Sequence, residues 1–144
     1  MGAPPARVWA AYADIGLRHR WYRVPGGRPQ THELDLRVGG RERLSGSFAP
    51  SGTVEQIDYE AIFLDVVPGD RHVAATRFAL DGEPRWSSLV TVSLAPDGTG
   101  TRLTHTEQYV LLRYDGDGEQ DRAHLRGSVP LALNALDAML AEAD

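Results

Sequence analysis

The residues with the clearest capacity for chemistry are a histidine and a glutamate two positions apart. His105 and Glu107 follow the alternation of a β-strand, so both side chains point to one face, together with Leu103 and Tyr109. A histidine beside a carboxylate in an apolar pocket acquires a shifted pKa and can transfer a proton. The same two side chains can instead orient a ligand or bond to each other. We favour this second interpretation, because two residues alone are a weak catalytic signal.

Composition excludes several other kinds of site. The 144 residues contain no cysteine, which excludes disulfides, thiol nucleophiles and thiolate metal ligands. All 15 basic residues are arginine, so Schiff-base chemistry on lysine is excluded too. The histidines are scattered without metal-ligand spacing. Gly98 to Gly100 resembles a phosphate loop only superficially, because a strand follows it and not a helix. We therefore expect no metal site and no cofactor.

Charge and hydropathy limit the kinds of partner that the protein can bind. A net charge of −5 argues against nucleic acid, which needs a basic face. No stretch is long and apolar enough for a membrane span, and residues 1–14 lack the apolar core of a signal peptide, so we expect a cytoplasmic protein without a membrane partner. The one local excess of positive charge is Arg18, Arg20, Arg23 and Arg28. A solvated loop is the favoured interpretation, with steering of an anionic ligand as the alternative.

The elements that position these side chains follow from hydrophobic periodicity. Proline in a first turn predicts a short helix from Pro4 to Asp14, and residues 17–22 form a second. Alternating residues and Gly, Pro or Asp turns then predict paired strands, although residues 61–64 are apolar on both faces and leave their inner face open. The predicted strands cover residues 31–38, 41–48, 54–67, 71–80, 85–95 and 101–112.

Residues 119–144 carry one long helical pattern with an apolar stripe on a single face. The stripe contains Leu125, Val129, Ala132, Leu136, Met139 and Leu140. Pro130 lies inside this pattern, after the weak helix formers Gly127 and Ser128. We therefore expect the helix to bend or restart at residues 126–130, with Ser128 as an N-cap. This hinge would set the opening of a pocket, or it would only fit the helix to the curvature of the sheet. A long helix over a curved antiparallel sheet predicts a single α+β domain, residues 1–144, that encloses something.

Five segments together resemble a known superfamily. They are residues 3–9, Arg20 to Tyr22, residues 33–41, residues 65–71 and residues 100–108. In this order they look like landmarks of the SRPBCC superfamily, with its START-like helix-grip domains. The branch is that of bacterial homologues of the activator of the heat-shock chaperone ATPase, the AHSA family, often labelled polyketide-cyclase-like. The resemblance spans nearly the whole chain.

The resemblance implies a helix-grip fold. A curved antiparallel sheet of about seven strands would wrap around the long C-terminal helix, with two short helices near the N-terminus and a hydrophobic cavity between sheet and helix. Family members usually have a strand before the segment that begins at Ala3, and here only Met1 and Gly2 precede it. The first strand is therefore expected to be missing or truncated. The strand at residues 101–112 would then be an unprotected edge, and we expect a homodimer joined along it.

Three functions are consistent with these features. The favoured one is a protein that binds a small hydrophobic or amphipathic molecule without catalysis. The expected ligand-binding residues are Trp9, Tyr12, Trp21, Tyr22, Trp86, Ser88, His105, Glu107, Tyr109, Leu125 and Val129. The first alternative is a cyclase-like or hydrolase-like enzyme that uses His105 and Glu107 as acid and base. The second is a protein-interaction module akin to the chaperone activator. In the first two cases we expect Glu107 to be the acid most sensitive to replacement.

Overall fold

The computed structural model, which describes residues 1–49 and 51–142, confirms the predicted helix-grip architecture. Two short helices precede a six-stranded antiparallel sheet, and a long helix follows it. The helices are α1 (Pro5–Ala13), α2 (Ile15–Trp21) and α3 (Glu119–Ala141). The strands are β1 (Gln30–Leu34), β2 (Arg41–Phe48), β3 (Glu55–Val67), β4 (Arg71–Leu80), β5 (Glu83–Asp97) and β6 (Gly100–Leu111). The last two residues of the predicted helical pattern lie outside the described residues.

The strands follow one another around the sheet in chain order, so each turn joins neighbouring strands. The described residues form six strands, where the resemblance implied about seven. Register resolves the ambiguous segment of β3: Ala61 and Phe63 are buried on the inner face, whereas Ile62 and Leu64 are exposed on the outer face. The inner face of the sheet is therefore continuous from β2 to β6.

The first strand is shorter than predicted. β1 ends at Leu34 and not at Val38, because the amide of Asp35 bonds to the carbonyl of Arg41 and the chain then turns away. The Gly39–Gly40 turn is present, and a Cβ on Gly40 would overlap the carbonyl oxygen of Asp35. The alternation of residues 35–38 thus reflects a tight turn rather than a strand.

The expected restart of the last helix is wrong. α3 runs as one helix through Pro130, and the hydroxyl of Ser128 donates to the Leu125 carbonyl at 3.2 Å instead of capping a new helix. Pro130 and Arg126 lie on an exposed part of the helix, so water can satisfy the carbonyl that loses its amide partner.

The buried core of the described residues forms three clusters: two lie at opposite ends of α3, and the third lies on β3 and β4. The first, here called the Leu136 cluster, packs Leu136, Met139 and Leu140 against α1 and β5. The second, the Trp86 cluster, contains only Leu125 from α3, together with Val24 from the loop after α2 and side chains of β2 to β5. More of the α3 backbone lies within 8 Å of α1 and α2 than within 8 Å of any strand. The middle of α3 is therefore held away from the sheet.

The edges of the sheet are β1 and β6. At the start of β6 the backbone of Met1 bonds to Thr101, with the Thr101 amide donating to the Met1 carbonyl at 3.0 Å. The Thr101 hydroxyl also donates to the Ala3 carbonyl at 2.7 Å. These bonds fix the first residues against one end of the edge, and a homodimer along β6 stays a prediction. Within the described residues, no helix is long and apolar enough to cross a membrane.

Candidate functional site

A cavity of about 800 Å³ lies between the inner face of the sheet and the middle of α3. It separates the Leu136 cluster from the Trp86 cluster, because α3 is anchored at its ends and not at its centre. Most of its wall is apolar, with aromatic and aliphatic side chains from four strands and the helix. These include Leu44, Ile57, Phe78, Trp86, Val90 and Leu125. Such a volume and such a wall are typical of small-molecule sites.

A buried ion pair forms one polar part of the wall. The Asp14 side chain caps α2 by accepting from the Leu17 amide at 2.9 Å, and the helix places Arg18 opposite Glu42 of β2. Arg18 Nε donates to Glu42 Oε1 at 2.7 Å, and Nη2 donates to Oε2 at 2.9 Å. The two side chains are 8% and 2% exposed. This bidentate geometry is the strong form of a carboxylate–arginine contact.

The pair stays ionised despite its burial. Burial alone would raise the pKa of Glu42, but Arg18 and a hydrogen bond from His32 outweigh it and lower that pKa to about 2. Burial would likewise lower the pKa of Arg18, and Glu42 reverses this effect and raises it. The guanidinium also lies over the rings of Tyr22 and Trp21, at 4.0 and 4.3 Å from their centroids. The cavity thus contains two opposite charges that neutralise each other.

Two histidines continue this network away from the cavity. His32 of β1 contacts Glu42 Oε1 through Nε2 at 2.9 Å, and its Nδ1 lies 3.3 Å from Nδ1 of His19. A neutral His32 that donates to the carboxylate from Nε2 has only a lone pair at Nδ1, so His19 must then donate from its own Nδ1. The network therefore ties α2, β1 and β2 together around Glu42.

His72 of β4 is the second polar part of the wall. It is 5% exposed and lies among aromatic rings, 5.4 Å from Tyr12 and 5.6 Å from Phe63 between centroids. Neither ring nitrogen has a hydrogen-bond partner among the described residues. Burial, with a smaller effect of the Arg18 charge, lowers the pKa of His72 to about 4. The imidazole is therefore neutral at pH 7, with one donor and one acceptor.

His105 and Glu107 of β6 form the third polar part. Their closest approach is 3.5 Å, between Nε2 and Oε2, and both side chains are largely buried in the cavity wall. Burial alone would raise the pKa of Glu107, but the hydrogen bond from His105 and the nearby Ser88 hydroxyl lower it. Glu107 is therefore a carboxylate at neutral pH. Within the described residues no three His, Asp or Glu side chains group as metal ligands.

The model of the family described as Activator of Hsp90 ATPase homolog 1-like protein matches residues 2–141. The chain belongs to this family, AHSA1.

Solved structures of similar proteins support the AHSA1 fold. An uncharacterized protein from Rhizobium leguminosarum has a TM-score of 0.84 and 29% identity, covering 99% of this chain and 90% of its own. The Mll3558 protein from Rhizobium loti has a TM-score of 0.74 and 36% identity, covering 96% and 90%. The Ms6760 protein from Mycobacterium smegmatis, at 22% identity and a TM-score of 0.72 over 99% and 85%, shows the fold alone. No curated protein matches the chain.

The AHSA1 cavity brings together most of the residues expected to bind a ligand. Those that line it are Tyr12, Trp21, Tyr22, Trp86, His105, Glu107, Leu125 and Val129. Trp9 instead packs against the Leu136 cluster. Tyr109 lies on the strand edge with 43% exposure, and Ser88 is buried beside the wall, with its hydroxyl lacking a partner of ordinary geometry. The structure gives the positions of these residues, and their roles in ligand binding stay predictions.

Sequence reasoning missed Arg18, Glu42 and His72 in this AHSA1 chain. Placing Arg18 in a solvated loop was wrong, since it is buried on a helix, whereas Arg20, Arg23 and Arg28 are exposed. A local signal existed, because Arg18 stands three residues before Trp21 on one helix face.

Glu42 carried a similar signal. It alternates with Leu44 on the inward face of β2, which places it inside the sheet. Neither pattern revealed that a helix and a strand would bring the two charges together.

Proposed function

We propose that this AHSA1-family protein holds one small apolar or amphipathic molecule in the cavity between sheet and α3, without catalysing a reaction. The observation that carries the proposal is the cavity of about 800 Å³, whose wall is mostly apolar. A close-packed interior rarely leaves such a volume, and burying apolar ligand surface there yields roughly 25 cal/mol per Å² before the costs of association. The charges in the wall are arranged as contacts between side chains and not as a nucleophile beside a base.

Binding can be tested with N-phenyl-1-naphthylamine, an uncharged probe whose fluorescence increases in apolar surroundings. We expect saturable binding by the full chain. Val129→Trp places a large ring in the cavity from α3, because Val129 is part of the lining, and we expect the probe to bind at least tenfold more weakly.

Asn134→Trp is the matched control, because Asn134 is on the exposed side of the same helix. It should leave the probe affinity unchanged. Equal affinities of the two variants, or no saturable binding by the unmodified chain, would contradict the proposal. Native mass spectrometry of the purified protein would then show whether a ligand co-purifies.

The contact between His105 and Glu107 supports a second candidate, an enzyme of the cyclase or hydrolase kind. The two groups meet at 3.5 Å inside the cavity, where His105 would move a proton and Glu107 would stabilise its protonated ring. The weak contact and the absence of a hydroxyl or thiol nucleophile bonded to His105 among the described residues place this candidate second.

Glu107→Gln separates the two candidates, since it keeps the shape of the side chain and removes its charge. We expect the uncharged probe to bind about threefold more tightly, because an ionised group in the wall becomes neutral. We also expect release of p-nitrophenol from p-nitrophenyl butyrate to stay at the background rate in both proteins. A clear rate in the unmodified protein that falls a hundredfold in Glu107→Gln would establish acid–base catalysis instead.

A further inference from the structure

The hydrogen-bonding groups that the cavity wall leaves unsatisfied indicate the chemical class of the ligand. The strongest of these is His72, whose two ring nitrogens are buried and lack partners among the described residues. Buried polar groups are normally paired, so one without a protein partner in a cavity wall is a site for a ligand group. The rings of Tyr12 and Phe63 pack against the imidazole.

The charges around His72 do not favour an ionised ligand. Arg18 is already bound to both oxygens of Glu42, and Glu107 contacts His105. An ionised ligand would lose its hydration in the cavity without gaining a free counter-charge next to His72. An uncharged ligand avoids this cost.

A neutral imidazole offers one donor and one acceptor, and which nitrogen carries the proton depends on its tautomer. A carbonyl group matches only the N–H, whereas a hydroxyl group donates to the bare nitrogen or accepts from the protonated one. The hydroxyl is therefore the small uncharged group that fits His72 in either tautomer.

We propose that the cavity binds an uncharged apolar molecule that carries a hydroxyl group, and that this hydroxyl bonds to a ring nitrogen of His72. The apolar body of the ligand contacts the wall around Trp86, Phe78 and Leu125. This inference rests on the proposed function, since it assigns the ligand class of the same cavity. In this inference His72 determines which ligands the cavity prefers, and it does not determine the overall affinity.

Displacement of bound N-phenyl-1-naphthylamine at pH 7 tests the inference with ligands of equal chain length. In the unmodified protein we expect decan-1-ol to displace the probe at a concentration 3-fold to 10-fold lower than its methyl ether, which lacks the donor. Decanoate and decylammonium should each require higher concentrations than the alcohol. His72→Phe should bring the alcohol and the ether to within twofold of each other.

Asn134→Trp is again the control, because Asn134 is on the exposed side of α3 and is not part of the cavity wall. It should preserve the preference for the alcohol. An alcohol no better than its ether, an ion that displaces the probe as well as the alcohol, or a preference that survives His72→Phe would each overturn the inference. These outcomes leave probe binding intact, whereas loss of probe binding in the unmodified protein would contradict the proposed function itself. The unmodified protein alone decides the first two comparisons if His72→Phe does not fold.

Discussion

Replacing Glu42 by alanine should lower the free energy of unfolding by about 3–5 kcal/mol, the largest effect that we expect from any single polar side chain. The change leaves the guanidinium of Arg18 buried and without its carboxylate, and it also removes the acceptor of His32. Domains of this size are stable by only about 5–15 kcal/mol, so the loss should be plain in urea unfolding followed by tryptophan fluorescence.

Glu60→Ala is the control for the loss of a glutamate. Glu60 stands 3.7 Å from both Arg43 and Arg77, but on the exposed outer face, so its loss should cost less than about 1 kcal/mol. The double change Arg18→Met with Glu42→Leu should cost less than Glu42→Ala alone, because it removes both charges together. If Glu42→Ala and Glu60→Ala cost the same, the buried pair does not stabilise the fold.

Acidification should destabilise the protein between about pH 6.5 and pH 4, beginning well above the pH at which carboxylates take up protons. Burial lowers the pKa of His72 to about 4, so in this window the unfolded chain binds a proton that the folded chain excludes. Stability is therefore complete above pH 6.5 and falls as the pH falls, by about 3 kcal/mol at pH 4 for this group. The titratable groups that act on the pKa of His72 are Arg18, Glu42 and His105.

His72→Phe isolates this contribution, since every other titrating group is shared with the unmodified protein. The difference in unfolding free energy between the two proteins should change steadily from pH 7 to pH 4, in favour of the variant. His124, whose pKa burial also lowers, adds a loss of the same sign to both proteins. Glu42 acts in a separate range, because a carboxyl with a lowered pKa loses its contribution only below about pH 4.5. If the unfolding free energies of the two proteins change with pH in parallel, protonation of His72 does not destabilise the fold.

Much of the fold followed from local patterns. The alternation in β5 and β6 placed Trp86, Val90, His105 and Glu107 on one face, and the structure has all four on the inner face of the sheet. In a sheet with one buried face the strand register is strongly constrained. The alternation of residues along each strand is therefore enough to predict which side chains point inward. The stripe on α3 was predicted for the same reason, since its period matches the helix.

The polar part of the site depends on contacts between distant residues. Arg18 and Glu42 lie 24 positions apart on a helix and a strand, and no local pattern reveals that they meet. The restart predicted at Pro130 failed for another reason. The cost of proline in a helix depends on whether the freed carbonyl is buried, and at this position the helix is exposed.

Because α3 is anchored unevenly, its local stability differs along its length. Its C-terminal part is held by Leu136, Met139 and Leu140, whereas the turns around Val129 lie over the cavity. Pro130 stands at the boundary, where the amide ladder has a gap. The turns over the cavity can therefore open in a local fluctuation while both ends of α3 stay docked, since segments with few buried contacts open at low free-energy cost. Amide hydrogens from Gly127 to Leu131 should accordingly exchange faster than those near Leu136, and a bound molecule would slow the faster group selectively.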